Sequence, residues 1–513
     1  DTCVLPVVKS LAKEIFKHDT EMSARSADIN SVFLRVWNLV LPRIMGRTFL
    51  MRPSNQTSSE EVMKLFYQPN ERPKFGQMIV FAIQQLLAIM AATLVVPVIT
   101  GNGMSPAAAL FGAGAGTLVY VLFTQRKSPV FLGSSFAFLG SMAAAFAGAA
   151  SVEVGYLGLI IGAILAGLVY VVIAILVKIV GVEWLNKLMP AVVIGPTVAI
   201  IGLSLAGNAV GDLQSSGTGT ASVNLCILCG LVTLFVTILC STFGKKMARL
   251  IPFIIGILAG YAVAAVFTVI GNATGNEALK VINFSVFNSL VEGGVGLHTF
   301  FAVPEFTFIK ALGGFSEITG QYIGTIAAAY VPVALVVFAE HVADHKNIST
   351  IIEKDLLTDP GLSRTLLGDG VGSMVGAIFG GCPNTTYGES IACVAITGNA
   401  SVATIITTAV LAIIISFLSP FVAFVNSIPS CVMGGVCIAL YGFIAVSGLK
   451  MVQKVDLEDN KNLFVVSTIL ICGIGGLAVT FGQVTITSIA TALIIGIIVN
   501  QMLGGSKGEK NLK

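Results

Sequence analysis

From Met78 to near its C-terminus the chain alternates long apolar runs with short polar breaks, beginning "MIVFAIQQLLAIMAATLVVPVIT" and ending "TSIATALIIGIIVNQMLGG". Each full-length run can cross about 30 Å of hydrocarbon as a helix. Hydropathy and length predict about fourteen segments, two of them short and interrupted. A helix surrounded by lipid can be apolar on every side, so periodicity adds little. The interrupted pair is the anomaly. "FLGSSFAFLG" and "GCPNTTYGES" set glycine, hydroxyls and, in the second, a proline, an amide and the carboxylate Glu389 between strongly apolar flanks.

Of the 513 residues, 55% are hydrophobic and 11% charged, and the mean hydropathy is +0.91. That balance excludes an ordinary soluble domain and predicts an all-α polytopic membrane protein whose main partner is the lipid bilayer. The net charge of +3 then reads as topology, not as a sign of nucleic acid. With the N-terminus inside, Arg126 and Lys127, Lys178 and Lys187, Lys245, Lys246 and Arg249, Lys346, Lys354 and Arg364, Lys450, Lys454 and Lys461, and Lys507, Lys510 and Lys513 all fall on the cytoplasmic side. The opposite connections "TGNGMS", "GNAVGDLQSSGTGTAS" and "TFGQVT" carry no Lys or Arg; only the segment from Gly271 to Gly320 does, with Lys280 and Lys310. This predicts a multi-pass plasma-membrane protein with both termini cytoplasmic.

Residues 1–75 are mixed polar and charged, without a signal-peptide apolar region, and read as a cytoplasmic extension. Residues 76–505 form the membrane domain, and residues 506–513 a cytoplasmic tail. Nine cysteines, most inside apolar runs, make no disulfide framework. Cys226 and Cys229 form a CxxC without a second ligand pair, so helix packing is expected there and no metal site. No catalytic triad or phosphate loop is visible, and no enzyme activity is expected.

The two halves of the membrane domain echo each other. "MPAVVIGPTVAIIG" and "IPSCVMGGVCIALYG" share a Pro-x-x-Val-x-Gly pattern, with Pro190 and Pro429 about half the chain apart. A similar offset relates "IQQLLAIMAA" to "AEHVADHKNI", and the two interrupted segments to each other. Repeat one spans about residues 76–272 and repeat two about 320–505. About seven segments per half is an odd number, so the second half enters the membrane with opposite polarity, giving an inverted repeat. Interrupted segments at matching places in inverted halves are the expected substrate site of a secondary transporter. Half-helices starting near Ser135 and Tyr387 would aim N–H groups and positive dipole ends at a ligand.

Ionisable residues inside the segments are few: Glu340, His341, Asp344, His345, Asp369 and Glu389. Each costs about 2.5–3.5 kcal/mol at the bilayer centre, so such residues mark pathways by default. Glu340 and Glu389 are the leading candidates; a structural hydrogen bond is the alternative for Glu389. On a helix, Glu340 shares a face with Asp344 and His341 with His345. His345 reads equally as a proton relay or a solvated helix end, Asp344 as a solvated end, and Asp369 as a cap or packing residue. Two glutamates beside half-helix starts suit a cyclic imide, which offers N–H donors to carboxylates and carbonyls to backbone N–H groups. Phe136 and Tyr387 offer aromatic faces for stacking, or simply pack.

At these residues, in "LGSSFAF", "AEHVADH", "KDLLTDPGL", "PNTTYGES" and "VMGGV…LYG", the sequence resembles the nucleobase-ascorbate transporters, or nucleobase-cation symporter-2 family, and most of all its bacterial uracil carriers. The resemblance implies fourteen spans in two inverted repeats, a core domain (spans 1–4 and 8–11) and a gate domain (5–7 and 12–14) that move against each other as an elevator. It also implies uracil import by proton symport with no cofactor beyond the coupling proton, frequently in a homodimer. By the same resemblance Glu340, Glu389 and the main chain at Phe136 and Gly388 would hold the pyrimidine, and Glu389, Glu340 and His345 would couple the proton. Gln85, His341, Asn384 and Ser390 would lie near the site. Gln85 stands where the family has His, Ser390 where it has Asn, and Ala392 where it has Gly. A xanthine or other purine carrier of the family, and an anion exchanger or channel on the same fold, are the alternatives; the latter would carry a cation where this chain has Glu389.

Overall fold

The computed structural model of the chain describes residues 65–504, apart from 182, 246, 293, 482 and 483. The extension expected over residues 1–75 lies almost wholly outside the described residues, as does the tail at 506–513.

The apolar runs fold as helices. In chain order they are α1 (Phe75–Thr100), α2 (Pro106–Phe123), a short α3 (Phe136–Ala147), α4 (Val152–Val180), α5 (Ala191–Leu213), α6 (Val223–Phe243), α7 (Pro252–Thr274) and α8 (Gly320–Ile352). There follow α9 (Leu362–Gly380), a short α10 (Gly388–Thr397), α11 (Val402–Ser416), α12 (Ser430–Val452), α13 (Asn460–Ile474) and α14 (Ser488–Met502). Among the described residues eight of these are long and apolar enough to cross a membrane, and five shorter ones are apolar. In α9, glycines, Arg364 and Asp369 dilute the hydropathy of an otherwise sufficient 19 residues. Starts follow local chemistry: Ser105 and Ser151 cap α2 and α4 by accepting from Ala108 and Val154 N–H groups, and Pro190 and Pro429 open α5 and α12 at matching points of the two halves.

Packing divides the helices into two groups. Helices α1–α4 pack with α8–α11, and α5–α7 pack with α12–α14. In the first group α2 and α9 cross at a ladder of glycines. A Cβ on Gly112 would lie 2.4 Å from the Gly376 carbonyl oxygen, and one on Gly116 2.5 Å from that of Gly372. Four-residue glycine spacing on both helices is what lets two backbones approach so closely.

The interrupted segments meet inside the first group. Strands β1 (Leu132–Ser134) and β2 (Asn384–Thr386), one from each half, pair antiparallel with Gly133 opposite Thr385. The Ser135 N–H donates to the Pro383 carbonyl (2.9 Å) and the Tyr387 N–H to that of Phe131 (3.2 Å). Non-helical backbone at this depth thus finds its partners in the opposite half, as a water-poor interior demands. The connection "TFGQVT" folds as a small hairpin, β3 (Val479–Phe481) with β4 (Val484–Ile486).

Both lysines that break the charge pattern are neutralised. Lys280 pairs with Glu277 and Lys310 with Glu305, each at 2.5 Å. Burial alone would lower the Lys310 pKa, but the Glu305 carboxylate and the Tyr156 hydroxyl beside it hold it above the usual lysine value.

Candidate functional site

At the crossing each strand turns into a half-helix. Helix α3 starts at Phe136 after Ser135, and α10 starts at Gly388 after Tyr387; neither start has a side-chain cap. First-turn N–H groups have no partner within their helix, and each start adds the positive end of a helix dipole. Both open onto one cavity of about 460 Å³, within the usual range for small-ligand sites. Glu389 reaches it from the first turn of α10, and Glu340 and Asp344 reach it from one face of α8. Val198 of α5 with Leu440 and Phe443 of α12 supply an apolar wall from the second helix group.

Three carboxylates therefore share a cavity with two sets of backbone donors. Glu340 and Glu389 are half-buried. Asp344 is not the solvated end that the following "KN" suggested: it is half-buried, lines the cavity and accepts from the Thr386 hydroxyl at 2.7 Å. Its spacing of four from Glu340 was the signal, since residues so related share a helix face.

Tyr387 lines the cavity while its hydroxyl donates to the Ser134 carbonyl at 2.7 Å. Its ring covers Gly133, where a Cβ would sit 2.3 Å from ring carbons. The Phe136 ring stands edge-on to Tyr441 at 6.0 Å between centroids.

Gln85 and Ser390, two positions where the chain departs from the family pattern, touch each other. The Gln85 amide donates to Ser390 Oγ at 2.5 Å, and the Phe131 N–H donates to the same oxygen at 3.0 Å. One hydroxyl thus ties the second turn-forming residue after Gly388 to α1 and to the approach to β1. Ser390→Ala would strand the Phe131 N–H in a buried site at about 1–3 kcal/mol and leave the Gln85 amide only the Ser390 carbonyl at 3.3 Å. The expected result is a lower melting temperature for the purified protein, with Ser390→Thr retaining part of it; an unchanged melting temperature for Ser390→Ala would remove the clamp.

The remaining candidates lie behind the cavity. Asn384 is buried between α2 and α9 and donates to the Gly112 carbonyl at 3.2 Å, a structural tie. His341 and His345 are fully buried on α8 and, unlike Glu340 and Asp344, do not line the cavity. Asp369 is not a cap: it lies within α9, fully buried, 2.7 Å from His341 Nδ1.

Apolar helices of membrane-crossing length around a carboxylate-lined cavity, at the junction of two interrupted segments, have the form of a membrane permease. A family model described as "Permease family" (Xan_ur_permease) matches residues 76–482. The chain belongs to this family, the nucleobase-cation symporter-2 group. It is 38% identical over 438 residues to a uracil permease of Bacillus caldolyticus, covering 85% of this chain and 94% of that protein. With a uracil permease of Escherichia coli (strain K12) it shares 35% over 433 residues, 83% of this chain and 91% of the relative. Among solved structures, the transmembrane domain of the cyanobacterial bicarbonate transporter BicA aligns with TM-score 0.55 at 14% identity, over 84% of this chain and 99% of that one. The murine anion transporter Slc26a9 in its inward-facing state gives 0.57 at 11%, over 96% and 74%. At such identities the likeness is one of fold alone.

Proposed function

We propose that the protein imports uracil across the plasma membrane by proton symport, with α1–α4 and α8–α11 as a mobile core and α5–α7 and α12–α14 as the gate. In this reading the helices form fourteen spans in two inverted repeats, and both termini are cytoplasmic. The observation that carries it is the convergence of Glu340, Asp344 and Glu389 with two uncapped half-helix starts on one cavity. A pyrimidine offers N–H groups to the glutamates and carbonyls to the N–H groups at Phe136 and Gly388. The names of the uracil permeases aligned over most of the chain support the same substrate. Three carboxylates and no cation in the first turn of α10 disfavour an anion carrier on this fold.

Under this topology Arg249 and Met451, at inner ends of gate helices, line the cavity, which supports an inward-open arrangement. One proton moving through 100 mV supplies about 2.3 kcal/mol, or roughly 50-fold accumulation. Cells lacking their own uracil carrier should take up radiolabelled uracil in a protonophore-sensitive manner once they express the protein. Accumulation of uracil against its own gradient in fully depolarised vesicles at equal pH would refute proton coupling, and competition by xanthine would move the substrate toward purines.

A further inference from the structure

Behind the cavity, fully buried between α2, α4, α8 and α9, lies a polar cluster that substrate binding does not use: Tyr120, Ser128, His341, His345, Thr365 and Asp369. None of them lines the cavity. Their hydrogens can be counted one by one.

His345 is settled by its partners. Its Nδ1 lies 2.8 Å from the His341 carbonyl oxygen, which can only accept, so Nδ1 carries hydrogen. With the ring neutral, its Nε2 accepts from the Tyr120 hydroxyl (2.7 Å), and the Ser128 hydroxyl (2.7 Å) can donate to Tyr120 in turn. A neutral ring satisfies every atom, and His345 is a fixed spacer stacked on His341 with ring centroids 4.0 Å apart.

His341 is not settled. Its Nδ1 faces Asp369 Oδ2 at 2.7 Å, and its Nε2 faces Thr365 Oγ1 at 3.0 Å. The Thr365 oxygen also lies 3.0 Å from the Leu362 carbonyl, and the hydroxyl has one hydrogen. If that hydrogen goes to Leu362, His341 Nε2 must itself donate to Thr365, and the 2.7 Å contact with Asp369 needs a second proton. The pair then holds two protons and is neutral overall. If the hydroxyl turns to His341 Nε2, Nδ1 donates to the carboxylate, and the pair holds one proton with net charge −1. One rotor and one proton separate the two states. Asp369 Oδ1 is buried without a hydrogen-bond partner among the described residues, so nothing else on that carboxylate compensates the charge.

We propose that the Asp369–His341 pair is a proton-holding site, with the Thr365 hydroxyl as its rotor, that exchanges one proton with water during transport. It rests on the symport reading above. On release the pair gives its second proton to water, its charge falls from zero to −1, and only the Thr365 O–H changes direction. Ionisable groups facing the pair are Tyr120 from α2, Tyr170 from α4, and Glu340, Asp344 and His345 from α8; on α9 itself Arg364 is exposed. The cavity carboxylates are of like sign, so a loaded pair favours their ionised form and an emptied pair disfavours it.

The chain has only four histidines, which permits a direct test on the full-length protein in lipid. With ¹⁵N-labelled histidine and no uracil, the signal assigned to His341 should switch its Nε2 between protonated and bare nitrogen across about pH 5–9, while His345 stays in one tautomer. Asp369→Asn should abolish the switch, and Thr365→Ser should keep it. A His341 signal that stays in one state throughout overturns the proposal, and this readout needs no variant to fold. In liposomes Asp369→Asn should still exchange labelled uracil between equal pools, yet lose the roughly 50-fold accumulation that one proton supplies. Undiminished accumulation by a folded Asp369→Asn also overturns it. A switching His341 in a protein that never concentrates uracil would sustain the proton site and sink the symport reading; a locked His341 in one that does would do the reverse.

Discussion

Glu389→Ala and Glu340→Ala, each present at the wild-type surface level, are expected to reduce micromolar uracil uptake to background. Both carboxylates reach the cavity beside an uncapped half-helix start. A ligand the size of a pyrimidine base has at most about 12 kcal/mol of binding energy available, and micromolar affinity already takes about 8.2. A hydrogen bond to an ionised acceptor contributes about 1.5–3 kcal/mol. Losing one therefore costs up to about 100-fold in affinity, more than so small a ligand can recover elsewhere. Uptake and equilibrium binding measured together check this, and a variant with wild-type affinity would remove that glutamate from the site. Asp344 is tied to Thr386, so Asp344→Ala should disturb the β2 end of the cavity as well as its charge.

Gly112→Val is expected to abolish production of folded protein. The added Cβ would meet the Gly376 carbonyl oxygen at 2.4 Å, and neither partner is a flexible side chain that could turn away. Overpacking a core costs about 1–3 kcal/mol where side chains can adjust; here the two helices that flank the paired strands would have to separate. The control is Gly442→Val, at a helical glycine of α12 with nothing within 4 Å of its Cβ position. Size-exclusion profiles and melting temperatures of the two variants compare them. A monodisperse Gly112→Val protein with the wild-type melting temperature would show that the α2–α9 crossing tolerates distance.

That crossing illustrates how the fold serves the site. Helices α2 and α9 flank the paired strands, and Asn384 of β2 hangs from the Gly112 carbonyl. The glycine ladder, the strand pair and the Ser390 clamp together hold two helix starts, α3 and α10, at one point in an apolar protein.

Much of this was legible in the residues alone. Apolar runs of membrane-spanning length, interrupted twice at matching places by glycine, proline and hydroxyls, determine a helical membrane protein and mark the interruptions as its candidate site, because hydropathy and turn chemistry are local properties. A carboxylate in such surroundings is costly enough to mark Glu340 and Glu389 as candidates without any structure. Only the tertiary structure decided what these residues face. In helices rich in apolar residues on every side no amphipathic stripe says which way a face points, so the sequence alone suggests a solvated end for Asp344 and leaves Asp369 open between a cap and a packing residue. Gln85 with Ser390 and His341 with Asp369 became partners only when segments far apart in the chain, or on different helices, were packed together. Such pairings depend on how the helices cross and rotate, which local pattern does not encode.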